Sequence, residues 1–81
     1  MELCHPIYNR ITINPEVCFG KPCIRGMRFP VATILAYLAG GMSIEVLLEE
    51  FPFLQKEDIL DSMAFAATAV DDIFIPLERR A

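Results

Sequence analysis

The spacing of apolar residues changes once along the chain. Residues 10 to 14, RITIN, alternate polar and apolar side chains around β-branched Ile11, Thr12 and Ile13, which predicts a short strand with one buried face. Asn14 and Pro15 end it. Downstream, Cys23 and Ile24 are separated from Met27, Phe29 and Val31 by Arg25 and Gly26, so the chain bends at Gly26. A second short strand around Met27 to Phe29 is then placed to pair with the first. Residues 10–30 read as a two-stranded β element.

From Pro30 onward the period lengthens from two to about 3.6. Val31, Ile34, Leu35 and Leu38 fall at i, i+3, i+4 and i+7 of a first helix, entered at Pro30 and closed by Gly40 and Gly41. Ser43 is the expected cap of a second helix, with Glu45 in its first turn and Ile44, Val46, Leu47 and Leu48 supplying core contacts. Pro52 stops it by disfavouring helical geometry at Phe51.

A third helix is predicted from Gln55 or Lys56 to about Asp72, with two apolar stripes. One runs through Ile59, Met63, Ala66, Val70 and Ile73 and faces the domain's own helices. The other, through Leu60, Ala67 and Phe74 with Ala64 beside it, needs a different partner, and the alanine-rich centre AFAATAV permits close helix approach. The fold class is therefore mainly α: a three-helix, helix-turn-helix-like core, with the tight FPFL link between its second and third helices, preceded by a short two-stranded β element. It forms a single domain over 1–81, divided into an N-terminal arm (1–9), the β element (10–30), the helical core (31–74) and a tail (75–81).

Composition adds an expectation about assembly. Of 81 residues, 54% are hydrophobic and the mean hydropathy is +0.42, more apolar material than one small protomer easily hides. A homodimer or higher homo-oligomer follows, with Leu60, Ala64, Ala67 and Phe74 as the candidate interface. The uncharged run from Phe29 to Ile44 is shorter than the roughly 20 residues of a membrane span and carries Pro30, Gly40 and Gly41, which excludes a transmembrane helix there. Three cysteines without a recognisable leader point to free thiols and a cytoplasmic setting.

Charge is unevenly distributed. The net charge is −4, yet residues 1–28 carry Arg10, Lys21, Arg25 and Arg28 against Glu2 and Glu16, while residues 29–78 carry nine acids against Lys56 alone. A basic end and an acidic body are predicted. The acidic total argues against a protein that coats nucleic acid.

The stretch FGKPCIRGMRFP, residues 19–30, invites a phosphate-loop reading, which its spacing refuses. Gly20 precedes Lys21 directly, Pro22 lacks an amide donor, and no Ser or Thr follows a Gly-Lys pair. Cys4, His5, Cys18 and Cys23 are a ligand set of the type zinc accepts, but adjacent Cys4 and His5 suit one ion poorly, and small core thiols are the plainer reading. His5 lies near an end expected to be mobile. Glu57, Asp58 and Asp61 read as a solvated, dipole-favoured first turn. With no base, nucleophile and orienting group in reach of one another, the expectation is a protein without enzymatic activity, cofactor or metal.

Over residues 10 to about 70 the sequence resembles the small bacterial family known as domain of unknown function 433. The resemblance rests on GKP (20–22), IRG (24–26), RFPV (28–31), the Gly-Gly close at 40 and 41, SIE (43–45), FP (51–52) and EDI (57–59). Two positions depart from the family pattern: Cys23 replaces an aliphatic residue, and Gln55 stands where a Ser or Thr usually caps the third helix. The resemblance implies a winged or extended helix-turn-helix module, with some members regarded as antitoxin-like partners of small PIN-type nucleases.

Two roles follow. In one, a homo-oligomer binds and neutralises a nuclease, its basic residues Arg10, Lys21, Arg25 and Arg28 meeting the carboxylates of the nuclease site, or phosphate. Alternatively, Arg25 and Arg28 pair with the acidic body of their own molecule. In the second role the protein is a transcriptional regulator that binds operator DNA and represses its own operon, with Gln55 and Lys56 at the start of the reading helix.

Overall fold

The computed structural model describes residues 2–72. Three short strands come first: β1 (Leu3–Cys4), β2 (Ile11–Ile13) and β3 (Cys23–Ile24). They form one antiparallel sheet in the order β1-β2-β3, with Leu3 opposite Ile13, Ile11 opposite Ile24 and Thr12 opposite Cys23. Three helices follow, α1 (Val31–Ala39), α2 (Ile44–Glu50) and α3 (Lys56–Asp71). The helix-rich architecture and all three helices agree with the sequence reading.

The strand pairing differs from it. The partner of β2 is Cys23–Ile24, and the expected arm contributes a third strand. Arg25 and Gly26, both at positive φ (44° and 73°), form the tight turn that the sequence marks at Gly26. Met27 N–H donates to the Ile24 carbonyl at 2.8 Å, and Ile24 N–H donates to Phe29 O at 3.1 Å. The segment after the turn therefore folds back on β3 and never reaches β2. Thr12, buried at the centre of the sheet, ties the layers: its hydroxyl accepts from Gly26 N–H at 2.8 Å and donates to the Cys23 carbonyl.

Helix ends follow local chemistry. α1 closes in a Schellman arrangement: Met42 N–H reaches the Tyr37 carbonyl at 3.1 Å, Gly41 N–H reaches Leu38 O at 3.0 Å, and Gly41 takes φ +98°. Ser43 Oγ accepts from Val46 N–H at 3.2 Å and caps α2. Between α2 and α3, Phe51 and Phe53 pack against Phe29 at ring separations of 5.0 and 5.2 Å.

The core joins sheet to helices through Ile11, Ile24, Val31, Ile34, Leu47, Leu54 and Ile59. Val46, Met63 and Val70, assigned inward by periodicity, are exposed instead. On α3 the buried positions are Asp58, Ile59 and Ser62, because the helix is rolled to turn Asp58 toward the sheet, and this carries Met63 and Val70 outward. Among the described residues no helix is long and apolar enough to cross a membrane.

The two glycines at the end of α1 give opposite expectations. A Cβ at Gly41 meets nothing within 4 Å, so Gly41→Ala is destabilising through its positive φ alone, by about 1–2 kcal/mol. Gly40, at φ −78°, has only ordinary contacts waiting at 3.5 Å, so Gly40→Ala is neutral or stabilising by about 0.5 kcal/mol. Urea unfolding of the two variants checks the pair.

Candidate functional site

The charged residues converge on one point. Arg10 directly precedes β2, Arg25 directly follows β3, and Arg25 N–H donates to the Arg10 carbonyl at 2.7 Å, so the two are cross-strand neighbours at one end of the sheet. Asp58 approaches them from the first turn of α3. Its Oδ1 accepts from Arg10 Nη1 at 2.9 Å and Arg25 Nε at 3.1 Å, and its Oδ2 accepts from Arg25 Nη2 at 2.9 Å and the Gln55 N–H at 2.8 Å. The arginines seal the rim: Arg10 Nη1 also donates to Gln55 Oε1 and Arg25 Nη2 to the Phe53 carbonyl, both at 2.7 Å.

Asp58 itself has no exposed surface, which corrects its reading as a solvated first-turn acid. Burial pushes its carboxyl up. The hydrogen bonds from Arg25, the Gln55 N–H and Arg10, together with the Arg25 charge, outweigh that and hold the pKa below the ordinary carboxylate value. One sequence signal could have exposed it: Gln55 and Asp58 stand three apart at a helix start, the spacing of a capping box.

Of the four cations offered as contact residues, the structure thus ties Arg10 and Arg25 to Asp58. Lys21 and Arg28 are exposed, and among the described residues neither makes an ion pair or a side-chain hydrogen bond. Gln55, a candidate base reader, is engaged by Arg10, while Lys56 is exposed.

Of the four residues weighed as zinc ligands, only Cys18 and Cys23 are neighbours through their thiols. The Cys4 thiol donates to the Asn9 carbonyl at 3.1 Å. His5 is not at a loose end: its Nδ1 accepts from the Ile7 and Tyr8 amides at 3.1 and 3.0 Å, and its ring meets Tyr8 and Phe65. Cys23 is buried, and burial, then the neighbouring Cys18 thiol, pushes its own thiol up. Among the described residues no group of three His, Cys, Asp or Glu side chains is arranged to hold a metal ion.

Part of the exposed surface is apolar. Leu60, Met63 and Val70 on the outer face of α3 are 45%, 36% and 66% exposed, in line with exposed Ala67 and half-buried Ala64. Phe74, the last of the expected interface residues, lies outside the described residues. On the neighbouring side, a groove of about 340 Å³ runs between α1 and α3, walled by Val31 and Leu35 on one side and Phe65, Ala69 and Val70 on the other, with Lys21 at its rim. Exposed apolar faces of this kind mark contacts with other molecules.

The profile of the family described as "Protein of unknown function (DUF433)" matches residues 11–66. An uncharacterized protein of Sinorhizobium fredii, y4eO, is 41% identical over 49 residues, which is 60% of this chain and 22% of that protein. The crystal structure of a DUF433 member from Anabaena variabilis superposes with a TM-score of 0.73 at 34% identity, over 80% of this chain and 64% of that one. The chain therefore spans about a fifth of the first relative's length and under two thirds of the second's.

If the Asp58 cluster holds the sheet against α3, Asp58→Asn costs about 3 kcal/mol, the low end for a buried ion pair because both arginines keep about a third of their side-chain surface in water. The depressed pKa fixes the sign with pH. This contribution is complete above the unfolded carboxylate value of about 3.9 and is lost as pH falls through the lower folded value. Denaturant melts between neutral and strongly acidic pH should decline steeply below about pH 4 for the wild type and less steeply for Asp58→Asn.

Proposed function

The chain belongs to the DUF433 family, whose description assigns no activity, and we propose that it is a non-enzymatic, homo-oligomeric interaction module of antitoxin-like type that binds a small PIN-type nuclease. The observation that carries this reading is the apolar outer face of α3. Leu60, Met63, Ala67 and Val70 lie in line on a helix whose opposite side already packs on its own core. The roll that Asp58 imposes turns them away from that core.

The chemistry of a nuclease partner supports it further. An active site of that type is a carboxylate cluster, for which a cation is the natural blocking group. Arg28 and Lys21 are the cations left for this task, since Arg10 and Arg25 already serve Asp58. The contact is therefore assigned to Arg28 with Lys21, and not to the four basic residues together.

Operator DNA is the second reading, favoured by the arrangement of α2 and α3 about the Phe51–Gln55 link. Against it, Gln55 spends its side chain on Arg10, and Glu57 and Asp61 stand beside Lys56 where phosphate would approach. A gel shift on the protein's own upstream DNA across a salt series tests this role separately.

For the first reading, tagged wild-type protein drawn from its native host at moderate salt should carry a small nuclease in stoichiometric amount, identified by mass spectrometry. Leu60→Glu, at an exposed position that leaves the core intact, should abolish capture, and Arg28→Ala should weaken it about tenfold or more. Capture unchanged in both variants overturns the assignment.

A further inference from the structure

Phe19 is 98% exposed, whereas the other aromatic side chains among the described residues lie against one another or against the core. Its backbone is equally unusual: Cys18, Phe19 and Gly20 take φ of 49°, 58° and 80° in succession. A bulky side chain in the left-handed region is strained, and glycine would occupy the position without that strain. The tip is nonetheless firmly built. Val17 N–H bonds to the Asn14 carbonyl, Gly20 N–H to Val17 O and Lys21 N–H to Cys18 O, at 2.8, 3.0 and 3.1 Å. Strain, rigidity and exposure together give the protomer nothing, which directs attention to what meets the ring from outside.

We propose that Phe19 is the anchor of a two-fold dimer, inserted into the groove between α1 and α3 of a second copy of this chain, whose own Phe19 fills the first copy's groove. The ring and the groove lie side by side on one protomer, since Lys21, two residues from Phe19, stands on the rim. That adjacency is what a reciprocal exchange about a two-fold axis requires. The groove is large enough: a cavity of about 150 Å³ accepts a benzene ring, and this one measures about 340 Å³, with Ala66 and Ala69 leaving room beside Phe65. Its charges are also self-complementary. One wall carries Lys21, and the α3 wall runs into exposed Asp71 and Asp72 just past Val70, so paired copies set ammonium against carboxylate. Of the outer face of α3 only Val70 borders this groove, so Leu60, Met63 and Ala67 stay available to another protein.

This contact rests on the homo-oligomeric part of the proposed function and is independent of any nuclease. Sedimentation equilibrium of the full chain tests it with two variants. Phe19→Gly suits the local φ, so its protomer should unfold at the same temperature or higher, while its dimer dissociation constant rises about 30-fold or more. Val70→Glu, at an exposed position, should block the groove to a similar degree. A mixture of the two variants retains one intact ring and one open groove, and should associate more tightly than either variant alone. Phe19→Gly self-associating like the wild type, a mixture no tighter than its components, or growth past the dimer overturns the reciprocal contact. A wild-type protein that stays monomeric at tens of micromolar overturns the homo-oligomer itself.

Discussion

The carboxylate of Asp58 is the joint between the two halves of this protein. It is withdrawn completely from water on the first turn of α3, and it survives there because four donors from three separate places reach its two oxygens. Each donor fixes something else. The Gln55 amide sets where α3 begins, Arg10 and Arg25 hold the end of the sheet against it, and the Arg25 bond to the Phe53 carbonyl fixes the path of the link from α2. Three tiny strands lack the hydrogen bonds to stand alone. Bolted to α3, they gain the apolar cover of Ile59 and Leu54.

The tight turn at Arg25 and Gly26 belongs to the same joint. Positive φ at two consecutive residues reverses the chain at once after β3 and leaves the Arg25 amide facing the Arg10 carbonyl. Both guanidinium groups then leave the sheet from adjacent positions. A longer loop would let Arg25 swing into solvent, and Asp58 would face a single arginine. The IRG stretch thus acts through geometry as well as charge.

Helices were legible in the sequence because their signals are local. The Gly40-Gly41 stop, the Ser43 cap and the Pro52 break act within a turn of the residues they end or begin, and each works in the structure as read. Sheet pairing was not legible, since two- and three-residue strands carry too little pattern to fix register, and Met27 to Phe29 look as strand-like as Cys23 and Ile24. The inward face of α3 failed for a related reason. Periodicity counts apolar residues and assigns a carboxylate to water, whereas this helix is oriented by its carboxylate. Arg10 and Asp58 are 48 positions apart, so nothing short-range announces their pairing. Once Asp58 is turned inward, the exposure of Met63 and Val70 follows from helical geometry.

The same joint explains how so apolar a chain leaves so much apolar surface outside. Among the described residues the connected buried cluster of seven hydrophobic side chains is small, and burying Leu60, Met63, Val70 and Phe19 would be the obvious way to enlarge it. The ion cluster removes that need by supplying order at the sheet–helix seam, where shape alone is weak. It also consumes two of the four cations of the basic end, which leaves the surface poorer in unpaired positive charge than composition suggests. Contact surfaces of protein partners are distinguished at their centres by aromatic and apolar anchors with few charges. The outer face of α3, the groove and the ring of Phe19 have that composition, and the first of them is turned outward because one aspartate is inside.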